Sequence, residues 1–329
     1  MTLLAPHLES FFRNHLPIER ACSRHTCETY AHAFQLLLTF AATRYKTSPS
    51  ALALEQVDAL LVVDFLAYIE ATRRNSATTR NARLAAIKSF AHFIEYRVPG
   101  AVDQVRRILA IPAKRTDQRL IDYLNREEVQ ALLDAPEPKT RMGIRDRAML
   151  HLCFAAGLRV SELIGLRMDE LQLHPDPSIR IRGKGRRERI LPLWRETAVA
   201  LRGWVAIREE APAPEVFVNA RGQPLTRSGF EYILDKYVRK AIATSPSISR
   251  KRVSPHVLRH SCAMHTLQAT HDVRKVSLWL GHASIKSTEI YLRADPTEKL
   301  AALDAGVPPT LKRGHFRAPD RLLAMLRQA

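Results

Sequence analysis

The chain has no CxxC pair. Its four cysteines, Cys22, Cys27, Cys153 and Cys262, are scattered over 329 residues. Neither a metal site of the zinc-cluster kind nor a disulfide framework is written into it, and a reducing compartment is expected. Long hydrophobic runs are also lacking: the longest, Ala59 to Ile69, is interrupted by Asp64 and falls well short of the ~20 apolar residues that span a bilayer. No apolar secretory stretch follows Met1, so a soluble, cytoplasmic protein with no membrane partner is expected. The pattern GxxxxGK followed by Ser or Thr is missing, which excludes a P-loop nucleotide site, and no internal repeat is evident. Negative charge is scarce, 33 Asp and Glu against 51 Lys and Arg, leaving +18 and a pI near 10.2. Such an excess points to a polyanionic partner, with double-stranded DNA the natural candidate, because each neutralised phosphate releases a counterion.

The length suits two domains, each large enough to bury its own core. From Leu3 to about Leu109 apolar residues recur at helical spacing without strand-like alternation. Ser23 precedes one periodic segment (Tyr30, Phe34, Leu37, Leu38, Ala41) and Ser76 another (Leu84, Ile87, Phe90, Phe93, Ile94); both serines are in N-cap position. Arg80, Arg83 and Lys88 fall largely off the apolar stripe and Arg73 and Arg74 just before it, giving one basic face. Prolines and charges between Ile111 and Arg119, including Lys114 and Arg115, mark an exposed linker. Residues 1–111 are therefore read as an N-terminal helical domain, 112–122 as linker and 123–329 as a second domain. That second domain opens on the capping box Asn125-Arg126-Glu127-Glu128.

Ile144 to Ala156 reads as an apolar helix stopped by Gly157, with Arg159 in the turn before a helix from Ser161 to Leu166 and Glu162 its local ion-pair partner. Ser178–Arg182 and Glu188–Leu193 alternate like strands joined by Gly183-Lys184-Gly185-Arg186-Arg187, a hairpin whose tip carries Lys184. Val216–Val218 suggests one more strand. Arg250, Lys251 and Arg252 form a further basic loop. The fold expected is mainly α with a small β-hairpin or sheet.

The stretch from Ser254 to Asp295 concentrates the chemistry. His256 and Arg259 stand three apart on one face of a helix opened by Pro255. A second helix, Val273 to Leu280, stops at Gly281, which aims His282 back, and Tyr291 lies on a short helix from Ser284 to Arg293. Two arginines can hold a phosphate bidentately and stabilise its pentavalent transition state. A phenol with an ordinary pKa of ~10 needs a base and a positive field to attack phosphorus; His256 is the candidate base and Lys184 the candidate acid for the departing oxygen. His260 and His265, beside Cys262 and Met264, are expected to be structural.

These motifs, GLRVSEL at 157–163, GKG at 183–185, HVLRH at 256–260, LGH at 280–282 and EIYLR around Tyr291, resemble in kind and order those of the tyrosine recombinase family, the phage integrases and Xer-type resolvases. The resemblance spans nearly the whole chain. It implies an N-terminal core-binding (SAM-like) domain and a mixed α/β catalytic domain. Arg159 and Arg259 would bind the phosphate, Lys184 would be general acid and His256 general acid/base. His282 would be a supporting donor, Glu162 an orienter, and Tyr291 the nucleophile of a 3′-phosphotyrosyl link that needs neither metal nor ATP. It also implies DNA held by both domains, a homotetramer on two duplexes, and exchange of C-terminal segments; the amphipathic tail Pro319 to Gln328 has its own subunit or a neighbour to dock on. A type IB topoisomerase and a catalytically silent DNA-binding accessory protein are the competing readings.

Overall fold

In a computed structural model the described residues are 2–117, 120–183, 188–208, 213–282 and 284–295. The chain divides into two units, Met1–Gln118 and Arg119–Ala329.

The first unit is built from helices. Helix α1 (Leu4–Ser10) continues into a π-helical stretch, Phe11–Glu19, and is followed by α2 (Arg24–Tyr45), α3 (Ala59–Arg73), α4 (Ala77–Glu95) and α5 (Val102–Ala110). Both serine caps are present: Ser23 Oγ accepts the Thr26 N–H and Ser76 Oγ the Thr79 N–H, each at 3.3 Å. Helical periodicity turns Phe34 and Leu37 of α2 and Leu84, Ile87, Phe90 and Phe93 of α4 into one core around Phe11. The rings of Phe11 and Phe34 each lie 5.3 Å from that of Phe90, in edge contacts that aromatic quadrupoles favour.

The expected basic face is only partly realised. Arg80 is 7% exposed and donates to the carbonyl of Pro112. Lys88 Nζ donates to Leu109 O at 2.6 Å, and Lys114 pairs with Glu70 at 2.8 Å. Placing Arg80 off the apolar stripe was incorrect: an arginine's aliphatic stem packs on a core while its fork satisfies a buried carbonyl. Arg73, Arg74 and Arg115 are exposed.

In the second unit the capping box forms: Asn125 Oδ1 takes the Glu128 N–H and Glu128 returns to the Asn125 N–H, both at 2.8 Å, opening α6 (Arg126–Asp134). Helix α7 (Arg141–Ala155) starts three residues earlier than the apolar run suggested, because Thr140 Oγ1 caps Gly143 N–H at 3.1 Å. After the short α8 (Val160–Ile164), β1 (Leu171–Gln172), β2 (Ser178–Arg182) and β3 (Glu188–Pro192) make an antiparallel sheet in the order β1-β2-β3, with Ile181 opposite Arg189. Strand β1, two residues long, is too short to leave a pattern in sequence.

Val216–Val218 is fully buried but is not a strand; only single bridges, Arg167 to Glu215 and Val218 to Pro224, flank it. The Val216 carbonyl accepts Trp204 Nε1 at 2.8 Å and Arg208 Nε at 3.2 Å, so side chains occupy the group a ladder would have used. Helices α9 (Arg195–Ile207), α10 (Arg227–Ala241), α11 (Pro255–Thr270) and α12 (Val273–Leu280) complete the body. The single helix expected from Ser284 to Arg293 is divided into a 3-10 turn, Ile285–Ser287, and α13 (Glu289–Ala294). Among the described residues no helix is long and apolar enough to cross a membrane.

Candidate active site

The site is built on helix ends. Beyond α7 the backbone at Gly157 turns left-handed (φ +56°), and a Cβ there would meet Leu280 Cδ2 at 2.6 Å and Cys262 Sγ at 3.1 Å. Only glycine fits so close a crossing of α7, α11 and α12. The turn delivers Arg159 to the start of α8, where Glu162 accepts both its backbone N–H (3.0 Å) and its Nη1 (2.8 Å). Glu162 also takes Arg189 Nη2 from β3 at 2.9 Å. Its side chain is 5% exposed. Burial alone would raise this carboxyl, but hydrogen bonds and charge from Arg189, then from Arg159, hold it below the usual carboxylate range.

Arg259 sits one turn into α11, behind the Ser254 cap on Val257 N–H. It is 4% exposed. Its Nη1 donates to Gly157 O and its Nη2 to Leu280 O, the latter at 2.8 Å. Burial, then the nearby charge of Arg159, pushes the guanidinium down to about 10; it stays charged at neutral pH.

Helix α12 ends at Gly281, also left-handed (φ +63°), whose missing Cβ leaves room for Arg189, with Nη1 at 2.8 Å from where that atom would be. His282 follows, and its Nδ1 lies 2.8 Å from Oγ1 of Thr288, which is fully buried. The imidazole stacks on Tyr291 at 7° between planes and 6.4 Å between centroids. Burial first, then Arg259 and Arg159, depresses His282 to about 4.

Tyr291 on α13 is 1% exposed. Its Oη is 3.1 Å from Nδ1 of His260, the rings meeting edge to face. Burial pushes the phenol up to about 12, while the charges of Arg259 and Arg159 pull the other way. The tyrosine, two arginines, Glu162 and His282 of the sequence reading are thus brought together. His256 is exposed on the first turn of α11, and the histidine against the phenol is His260, which was expected to be structural. His265 keeps that part, donating from Nε2 to Leu124 O at 2.9 Å. Lys184, Arg186 and Arg187 lie outside the described residues.

Arg189, His260 and Thr288 were missed. Alternation in β3 held a signal for the first: Leu191 is core, so Arg189 faces inward with it, leaving Ile190 66% exposed. Of the loop cations, Lys251 is tied to Glu128 (2.6 Å) and Tyr123 O (2.8 Å), whereas Arg250 and Arg252 are exposed. Among the described residues no three His, Cys, Asp or Glu side chains group as a metal site would. A groove of about 840 Å³ lined by Val129, Phe154 and Trp194 contains none of the residues of this cluster.

A sequence model of the phage integrase family matches residues 122–298, and one of its N-terminal SAM-like domain matches residues 8–97. The chain belongs to the tyrosine recombinase family. "Putative integrase/recombinase y4rC" of Sinorhizobium fredii is 42% identical over 323 residues, covering 98% of this chain and 97% of that protein. "Tyrosine recombinase XerC" of Pelobacter propionicus is 33% identical, covering 90% of this chain and 94% of its own length. As a tyrosine recombinase the chain is a DNA strand transferase, with the SAM-like and catalytic domains of the family. In fold it resembles the XerH site-specific recombinase bound to difH substrate, with a TM-score of 0.62 at 24% identity over 86% of this chain and 81% of that one.

Proposed function

We propose that this recombinase cuts and rejoins double-stranded DNA at a specific site through a 3′-phosphotyrosyl intermediate, drawing on neither metal nor ATP. The observation that carries the reading is the cluster around Tyr291: His282 stacks on its ring, Arg259 donates to the Leu280 carbonyl two residues before that imidazole, and the charges of Arg259 and Arg159 oppose the burial that pushes the phenol up to about 12. Arg159, the more exposed of the two, with its side chain 35% accessible, grips the scissile phosphate while Glu162 fixes its angle. Arg259 supplies charge from below. In the tautomer in which Nδ1 of His282 accepts from the Thr288 hydroxyl 2.8 Å away, Nε2 carries the proton and the imidazole is a neutral donor to a phosphate oxygen. His256 serves as acid/base group on the exposed side, and Lys184 protonates the departing 5′ oxygen.

Bond energy held in the phosphotyrosine is returned on religation, so no external energy source is required. Exposed Arg73, Arg74, Arg115, Arg250 and Arg252 track the DNA backbone together with Arg83, Arg186 and Arg187. Arg80, Lys88, Lys114 and Lys251 support that surface through their contacts within the chain. Residues 1–111 and 123–329 act as the two DNA-holding domains of a cytoplasmic protein that assembles as a tetramer, with the tail from Pro319 exchanged between neighbours.

A duplex nicked near the cleavage point traps the covalent adduct. Wild type is expected to form it, and Tyr291→Phe to lose it while DNA affinity changes less than about twofold, since contacts dominated by phosphates carry the binding. Adduct formation by the Tyr291→Phe variant overturns the assignment.

A further inference from the structure

The Glu162 carboxylate serves two arginines at once. Arg189, on β3, lays its fork along it, with Nη2 at 2.9 Å from Oε2 and Nη1 at 3.3 Å from Oε1, while Arg159 Nη1 reaches the same Oε1 at 2.8 Å. We infer that Arg189 is a positioning residue for strand cleavage: by holding the Glu162 carboxylate from the far side, it stops that charge from closing on Arg159, whose remaining N–H groups stay free for the scissile phosphate. This rests on the phosphotyrosyl reading above and deepens it.

The reason lies in what a carboxylate does with a single arginine. Left alone with Arg159, Glu162 would be drawn into the bidentate grip that such pairs favour. Two of the five guanidinium N–H groups would then be spent and the charge meant for phosphate would be quenched. With Arg189 on the carboxylate, Arg159 needs to give it only Nη1 and its backbone N–H. Its side chain keeps 35% of its surface accessible, against 12% for Arg189, so the two arginines divide an outward and an inward task.

Arg189 is itself held from above. A Cβ on Gly281 would stand 2.8 Å from Nη1, 2.9 Å from Cδ and 3.2 Å from Cζ of Arg189, so the turn that aims His282 lies directly on this guanidinium. The fork cannot swing away and release Glu162 without disturbing that turn. Stability alone gives little reason for such a residue, because a buried ion pair is commonly matched by apolar side chains of similar volume. Here the Nε of Arg189 is buried with no hydrogen-bond partner, a cost that an apolar side chain would not carry.

The test follows adduct formation on the nicked duplex by full-length wild type, Arg189→Met and Arg189→Lys, well below the lowest melting temperature. Arg189→Met is made again in the Glu162→Gln background. Methionine keeps an apolar stem without charge; lysine keeps the charge and one bond to Glu162. Small misplacements near reacting groups cost about 10²-fold in rate, so Arg189→Met is expected to be slowed to that extent. Its DNA affinity should stay within about twofold, because phosphate contacts elsewhere carry the binding. Lysine, a point charge in place of a fork, should recover about tenfold of the loss. With glutamine at 162 no carboxylate remains to be held off, and Arg189→Met should cost less than about threefold further. Wild-type speed in Arg189→Met overturns the proposal. So does an equal loss from methionine in both backgrounds, which would make Arg189 a packing residue, or lysine no faster than methionine. If Glu162→Gln alone gives no measurable adduct, lysine against methionine decides. If Arg189→Met does not fold, Arg189→Gln takes its place in both comparisons. Absence of adduct from wild type would instead sink the underlying reading of the site.

Discussion

Replacing Glu162 by Gln keeps the volume of the side chain and removes one negative charge from between two guanidiniums. The carboxylate accepts from Arg159 N–H (3.0 Å), Arg159 Nη1 (2.8 Å) and Arg189 Nη2 (2.9 Å). An amide can match at most part of this set, and its NH₂ would face another donor. Breaking a buried pair costs about 3–5 kcal/mol. The Arg189 side chain, 12% exposed, feels nearly all of that loss, whereas Arg159, 35% exposed, is screened and adds little. The expected cost is about 3 kcal/mol, which for a unit of this size lowers Tm by about 6–12 °C. Calorimetry of the full chain measures it. Sulfate should restore more stability to the variant than to wild type, because Arg159 and Arg189 then lose the carboxylate that both pair with. The sign with pH is also fixed. Glu162 is held below the usual carboxylate range, so its contribution is present above ~4.3 and is lost as pH falls through the folded value. The two melts converge in acid. A Tm within 2 °C of wild type, as an order-of-magnitude margin, with sulfate acting equally on both, would refute the reasoning.

Gly157→Ala forces a left-handed alanine, about 1–2 kcal/mol in itself, and drives a methyl against Leu280 and Cys262. A loss of about 2–4 kcal/mol by thermal melting is expected, with slower adduct formation as the Gly157 carbonyl leaves Arg259. His260 and His282, both depressed to about 4 by burial, favour the folded state fully above their ordinary value of ~6.5. That stability is lost as pH falls from there towards about 4, and melting curves across the window should show it, with His282→Asn removing its share. Arg250→Ala combined with Arg252→Ala should weaken DNA binding alike on all sequences and reduce the slope of log affinity against log salt by about 1.8 in a fluorescence titration.

What the sequence disclosed, it disclosed through local rules. Ser23, Ser76 and the Asn125–Glu128 box act within one turn of chain, and the glycines at 157 and 281 mark left-handed turns that any reader of helix ends would expect. The motif residues came through because their kinds and order along the chain resemble those of a known family, whereas the face that His256 was to share with Arg259 did not form, His256 being exposed and Arg259 buried. What stayed hidden depends on who meets whom across the fold. Arg189 reaches Glu162 across 27 positions and His260 reaches Tyr291 across 31. Helical spacing ranks His256 and His260 as near equals, one turn apart; only the placement of α13 against α11 separates them. Arg80 misled for another reason, since charge in a sequence says nothing of whether a carbonyl waits for it inside.

Arg259 shows why the site and the fold are hard to separate. Its two contacts are the carbonyl of Gly157, in the turn after α7, and that of Leu280, the last residue of α12, groups that a helix end leaves without an intrahelical donor. Trp279 Nε1 closes the same junction by donating to Ala155 O at 3.0 Å. One guanidinium therefore joins the turns that deliver Arg159 and His282, and each of its Nη atoms carries a second N–H that those carbonyls do not use. The positive field at Tyr291 is thus fixed when the helices pack, before any phosphate arrives. Lysine in its place would keep the charge but could not bridge both carbonyls with a planar fork, so Arg259→Lys should loosen the junction of α7 and α12 as well as slow the chemistry.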